Sequence, residues 1–204
     1  MHMKHWAAFV ISIVWFGVVL GLAAQGVFVS VPGEAPVAVG AGFGGPIAVF
    51  GIAAWASGRF RDYVPSLPPL LLAALHGWRF VGLGFLMAYT ENLLPASFAW
   101  PAGLGDISVG LTAPWICLRL ARDANFVSSP VFRFWNYFGI VDFLVAVATG
   151  VLNQGVLPAF QPVIIAGLMQ RLPFVLIPCF FVPLLFITHL ILLMKPVSTA
   201  NRGR

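Results

Sequence analysis

Six apolar stretches, at residues 6–30, 36–56, 68–90, 99–118, 134–152 and 174–194, take up most of this 204-residue chain. A helix needs about 20 mostly apolar residues to cross the hydrocarbon core of a bilayer, and each stretch is about that long. A soluble domain has no way to hide them, because a folded domain of this size still exposes much of its surface. Here 60% of the residues are hydrophobic, 8% are charged, and the mean hydropathy is +0.97. The sequence therefore predicts an all-α integral membrane protein. It reads as a six-transmembrane-helix bundle, a single domain over residues 1–204, with the lipid bilayer as its solvent. The 21 glycines and 16 prolines fit this class, since both are commoner in membrane helices than in soluble ones. Lys4 precedes the first stretch as it would in a signal peptide. The apolar run is nevertheless about twice the usual length, and no small-x-small cleavage site ends it. It reads as a retained first helix.

The connections predict an orientation. Lys4, Arg59, Arg61, Arg119, Arg122, Arg133, Lys195, Arg202 and Arg204, nine of the eleven basic residues, fall on one side of such a bundle. Arg171 falls on the other side with Glu34 and Glu91, and Arg79 lies inside the third stretch. Basic loops stay in the cytoplasm, so both termini are expected there. Basic residues this scattered form no nucleic-acid patch. Cys117 and Cys179 lie in different apolar stretches without CxxC spacing, which reads as packing rather than a zinc site or a disulfide framework.

The external connections carry Val31-Pro32, Leu94-Pro95 and Leu157-Pro158, at intervals of 63 and 63, each followed by a second proline at Pro36, Pro101 or Pro162. The spacing points to three successive helical hairpins; a preference of external turns for proline gives the same pattern without a repeat. The apolar run Val163–Met169, beside Gln161, Gln170 and Arg171, is expected to form a short interfacial or re-entrant helix or an ordinary loop on the bundle. Glycine pairs at Gly17/Gly21 and Gly40/Gly44 have GxxxG spacing and permit close helix contacts. Trp6, Trp55, Trp100 and Trp135 fall near the expected interfaces, where tryptophan is enriched.

Arg79, Asp106 and Asp142 stand inside apolar stretches three, four and five. Charges at membrane depth are costly and turn toward partners in a bundle interior. A guanidinium between two carboxylates is the natural arrangement, because its forked donors serve both. Such a cluster can lock three helices together or bind a solute or a proton. His76, three residues before Arg79, shares its helix face, and Asn136 can cap helix five or cross-link it to a neighbour. Helix four is expected to open on Trp100-Pro-Ala-Gly-Leu-Gly-Asp106, where the glycines allow a ligand or a helix to approach the backbone and a discontinuous helix is one option. Pro173, Pro178 and Pro183 are expected to distort helix six.

His76 and His189 lie on different helices at comparable depths, roughly 13 Å and 9 Å from the basic side by the rise of a helix. That pairing permits a haem b ligated from both faces, with His76 and His189 as iron ligands. Hydrogen bonding of His76 within the polar cluster and an interfacial His189 is the simpler alternative. No intramembrane lysine of the retinal-binding kind, P-loop, HExxH or GxSxG motif is present, so no catalytic residue is assigned.

The strings His76-Gly-Trp-Arg79-Phe-Val-Gly82, Leu94-Pro95, Phe98-Ala-Trp-Pro101-Ala-Gly-Leu-Gly-Asp106 and Trp135-Asn136-x-x-Gly139-x-x-Asp142 resemble a group of uncharacterised bacterial multi-pass membrane proteins. The resemblance covers roughly residues 70–150. It implies a bacterial inner-membrane setting and no particular activity. Three classes of function follow from the residues. The first is small-solute binding or transport at Arg79, Asp106, Asp142, His76 and Asn136. The second is a haem-bearing electron-transfer protein. The third is a non-catalytic subunit or assembly factor with a membrane-protein partner or a second copy of itself.

Overall fold

The computed structural model describes residues 6–31, 34–156 and 168–196, which are helical with no strand among them. His2, Lys4, His5, Pro32, the Leu157–Pro158 turn, Gln161, Pro162, most of the 163–169 stretch, Arg202 and Arg204 lie outside the described residues. Five helical segments are long and apolar enough to cross a membrane: Trp6–Ala24, Val37–Ala56, Pro69–Thr90, Ala96–Arg122 and Pro130–Gln154. The sixth expected stretch forms a shorter apolar helix, Ile177–Leu193.

The segments resolve into α1 (Trp6–Ala24), α2 (Val37–Ala56), the short α3 (Gly58–Tyr63), α4 (Pro69–Leu75), α5 (Gly82–Thr90), α6 (Ala96–Arg122), α7 (Pro130–Val151) and α8 (Val182–Leu193). Local chemistry starts several of them. Ser57 accepts from Phe60 N at 3.2 Å to cap α3, and Ser129 accepts from Phe132 N at 3.1 Å ahead of Pro130 on α7. A side-chain oxygen there satisfies an orphan N–H, and proline suits the first helical position. The Ser129 cap carries α7, and the basic last turn with Arg119 and Arg122 carries α6, past the apolar stretches that mark them in sequence.

Along the apolar segments themselves, helix geometry departs from α in three places. His76–Val81 is a 3-10 stretch between α4 and α5. Leu152–Val156 and Ile177–Phe181 are π-helical, at the end of α7 and the start of α8. The last is the form taken by the distortion expected around Pro178. Neither a discontinuity beside Asp106 nor a helix start at Trp100 is found: α6 begins at Ala96 and runs unbroken through Pro101 and Pro114 for 27 residues. Arg79, by contrast, stands within an irregular stretch.

Close backbone approach explains where α4, α5 and the 3-10 stretch sit. A Cβ on Gly110 would stand 2.7 Å from Phe80 N, and one on Gly82 would stand 2.7 Å from Gly103 O. Only glycine at these positions lets the third segment lie directly against α6. The GxxxG pairs do not serve this purpose. Gly17, Gly21, Gly40 and Gly44 meet no atom within 4 Å of a Cβ among the described residues. Small-x-x-x-small spacing permits a contact but does not compel one.

Apolar packing closes the basic end of the bundle. Val64, Leu67, Ala73, Ala113, Ile116, Phe126, Phe132 and Leu192 form one core cluster there. The Lys195 ammonium donates to Pro65 O at 2.5 Å and to Leu67 O. This satisfies carbonyls at the end of the short 3-10 turn Val64–Ser66 and ties the chain beyond α8 to the α3–α4 junction. At the opposite end Phe85, Leu94, Phe98, Ala102 and Met169 pack together. Helix α1 packs on the π stretch that precedes α8, with Trp15 and Phe16 rings 4.9 Å and 5.0 Å from Phe180. Cys179 is buried in that cluster, and both cysteines are free.

Candidate functional site: a buried Arg–Asp–His cluster below an apolar cavity

The 3-10 stretch, α6, α7 and α8 meet at Arg79. Its side chain is 1% exposed and its donors fan out to four acceptors. Nε donates to Asp106 Oδ1 at 2.7 Å, and Nη2 donates to Asp142 Oδ2. Nη1 donates to the Gly139 carbonyl at 3.3 Å and faces His189 Nε2 at 3.2 Å. The guanidinium also lies over the Phe143 ring, with Cζ 3.8 Å from its centroid, a favourable cation–π contact when desolvated. A lysine has no planar fork with which to reproduce this set. The structure thus brings together the three charged residues singled out in sequence.

Two glycines make room for the cluster. The Asp142 carboxylate occupies the place where a side chain on Gly105 would stand. The His189 imidazole and Arg79 Nη1 crowd the same position on Gly139. The Gly-x-x-Asp spacing of α7 therefore puts an accepting carbonyl and a carboxylate on one face, one turn apart.

The two histidines are held by hydrogen bonds that define their protons. Asn136 Nδ2 donates to Phe132 O at 2.8 Å, so its Oδ1 is the atom that faces His189 Nδ1 at 2.8 Å. His189 Nδ1 is then the donor, and Nε2 keeps the lone pair that faces Arg79. Thr188 donates to Leu185 O at 2.7 Å and meets His76 Nε2 at 3.0 Å. Its hydroxyl has one proton, already directed at Leu185, so His76 Nε2–H donates to it. His76 Nδ1 is left as a lone pair, the one buried side-chain N or O without a partner among the described residues. Asn136 thus cross-links α7 to α8. His189 is completely buried.

The haem arrangement does not fit these residues. The His76 and His189 rings stack on each other, 3.8 Å between centroids and 29° between planes. No porphyrin fits between rings in van der Waals contact, and both Nε2 atoms are already engaged by Thr188 and Arg79. Among the described residues no group of three or more His, Cys, Asp and Glu side chains is arranged to hold a metal ion. Trp135 departs from expectation as well. It is not an interface anchor but lies 6% exposed, edge-on to both imidazoles at 5.2 Å, with Nε1 donating to Thr112 Oγ1 at 2.9 Å.

Asp106 also lines a half-enclosed cavity of about 100 Å³. Phe43, Phe85, Phe98 and Phe143 are among its walls, and it extends from Asp106 to Gln154 and Gln170 at the end away from Lys195. Gln170 joins that end to the α1 side: it accepts from Ser30 N at 2.7 Å and donates to Ser30 Oγ at 2.8 Å and Gln154 Oε1 at 3.2 Å. Both π stretches reach the cavity, one through Gln154 and the other through Ile177 and Pro178. Asp142 faces a separate shallow groove between α6 and α7, beside Ser108 and Phe138. The cluster is therefore bracketed by two hollows, each reached by one carboxylate.

Sequence reasoning missed Thr188, Phe143, Trp135 and the Gly139 carbonyl as members of this network. The position of Thr188 next to His189, and of Phe143 next to Asp142, is the only local signal for two of them.

A family model described as a domain of unknown function, DUF8737, matches residues 36–195. No curated protein and no solved structure matches the chain.

Proposed function

The chain belongs to this family of unknown function, DUF8737, and we propose that it binds or transports a small solute in the cavity above its Arg79–Asp106–Asp142 cluster. In this reading it is a multi-pass protein of the bacterial inner membrane, six segments deep, with both termini in the cytoplasm. The basic residues at one end of the bundle support that orientation. The cavity then faces the external half, and the apolar cluster around Ile116 and Phe132 seals the cytoplasmic half.

One observation carries the proposal: Asp106 belongs at once to the buried ion cluster and to the wall of the cavity. An ion lock that only holds helices together has no need of a hollow at one of its carboxylates. Ionisable residues at membrane depth mark ligand and ion pathways by default. The 3-10 and π stretches around the same hollow add support, since such irregularities recur at functional sites and hinges. No enzyme activity is proposed.

Gly40 lines the cavity and has open space around its Cβ position, so Gly40→Phe is the substitution chosen to narrow the hollow. Small solutes are to be screened for a ligand-induced rise in Tm on the protein in nanodiscs. The expected result is at least one solute that stabilises the wild type and no longer stabilises Gly40→Phe, whose own unliganded Tm stays close to wild type. A panel that yields no binder, or a binder indifferent to Gly40→Phe, removes the proposal.

A further inference from the structure

The solute that suits this cavity is narrowed by the charge count of the cluster below it. Arg79 supplies one positive charge, and Asp106 and Asp142 supply two carboxylates. The titratable or charged side chains that face them are His76 from the 3-10 stretch and His189 from α8; α2, which forms cavity wall at Phe43, carries none, and Tyr89 of α5 packs against Trp100 instead. Both imidazoles are neutral by their hydrogen bonds. His189 uses Nδ1 as donor and Nε2 as acceptor, and a proton on His76 Nδ1 would have no acceptor. With both carboxylates ionised the cluster carries one uncompensated negative charge. Buried in an apolar bundle, that charge is expensive. It is relieved by a proton on the carboxylate pair or by a cation close to Asp106.

The cavity is built for the second option. Its largely aliphatic wall includes four phenylalanine rings, whose faces attract cations, and the neutral amides Gln154 and Gln170 line its distal end. Among the described residues no basic side chain lines it, and the donors of Arg79 are directed at the acceptors of the cluster, so an anion would find no cationic partner. Resting on the solute-binding reading above, we infer that the cavity takes a monocationic amphiphile, an apolar body with one ammonium group against Asp106, in exchange for the proton held by the Asp106–Asp142 pair. Charge balance then fixes the stoichiometry: one cation enters and one proton leaves.

The test uses the full chain in phosphatidylcholine nanodiscs, with empty nanodiscs subtracted, at neutral pH. The probes are 2-naphthylmethylamine (cationic), 2-naphthylmethanol (neutral) and 2-naphthoate (anionic), which share one apolar body. Titration calorimetry in two buffers of different ionisation enthalpy gives affinity and proton release together. The amine is expected to bind saturably, one per protein, at least about tenfold more tightly than either analogue, and to release about one proton. Asp106→Asn is expected to lose both the preference and the proton release. If that variant does not fold, the proton release of the wild type decides: amine binding without it overturns the exchange. Equal or tighter binding of the alcohol or the carboxylate overturns the cation assignment and leaves the cavity standing as a solute site. No saturable binding of any probe also overturns it, and the solute panel with Gly40→Phe then tests the broader reading separately.

Discussion

The Asp142 carboxylate lies where a side chain on Gly105 would be, so the residue on α7 that salt-bridges Arg79 depends on the absence of a side chain on α6. Gly105→Ala therefore displaces Asp142 from the guanidinium. Overpacking of a tight site costs about 1–3 kcal/mol, and a similar loss of stability is expected here, seen as a lower Tm in nanodiscs. The cost should shrink when the same change is made in an Asp142→Ala background, where the crowded group is gone. Equal losses in the two backgrounds would show that the two residues are not coupled in this way.

Arg79 is the one cation among four acceptors, and its removal leaves two buried carboxylates facing each other. Arg79→Met is expected to cost about 3–5 kcal/mol, the usual penalty for breaking a buried ion pair from one side. Arg79→Lys should recover only part of it, since an ammonium on a flexible stem does not span Asp106, Asp142, Gly139 O and His189 at once. Neutralising the whole set, in an Arg79→Met, Asp106→Asn, Asp142→Asn triple variant, should restore most of the lost stability. The comparison of the three Tm values checks the prediction; a triple variant no more stable than Arg79→Met would contradict it.

The polar cluster was legible in the sequence because charges are so scarce. With 8% charged residues, an arginine and two aspartates inside apolar stretches have few partners but one another, and Asn136 sits two turns before Asp142 on the same helix. What was not legible was set by tertiary approach. Nothing local breaks the third segment at His76–Val81, where no proline occurs; the 3-10 stretch lies against Gly110 of α6. Trp135 stands at the sequence position of an interface residue, yet the imidazoles of two other segments and Thr112 draw it inward. Gly40 and Gly44 have a contact motif without the contact, and Gly40 instead lines the cavity.

The stacked imidazoles make a spectroscopic prediction. Protein purified from haem-replete cells is expected to show no Soret band, because His76 and His189 have to separate by more than the thickness of a porphyrin before either can face an iron ion. A Soret band that is present in the wild type and lost in both His76→Ala and His189→Ala would show that the rings part, and would reinstate the haem reading.

Lys195 gives a prediction at the basic end, away from the cluster. Its partial burial against the α3–α4 junction pulls the ammonium down from 10.5 to about 8. Below about 8 the lysine is protonated in both the folded and the unfolded chain, and the folded chain bears the cost of burying the charge. Between about 8 and 10.5 the unfolded chain still holds a proton that the folded chain has released, so the contribution of Lys195 to stability rises with pH through that window. The neutral amine keeps donors for Pro65 O and Leu67 O, so the latch itself is not lost. The Tm of the wild type minus that of Lys195→Met is therefore expected to be flat on the acid side and to climb across the window, other titrations cancelling in the difference. A difference that stays level or falls there would mean that the ammonium is not penalised by its place in the fold.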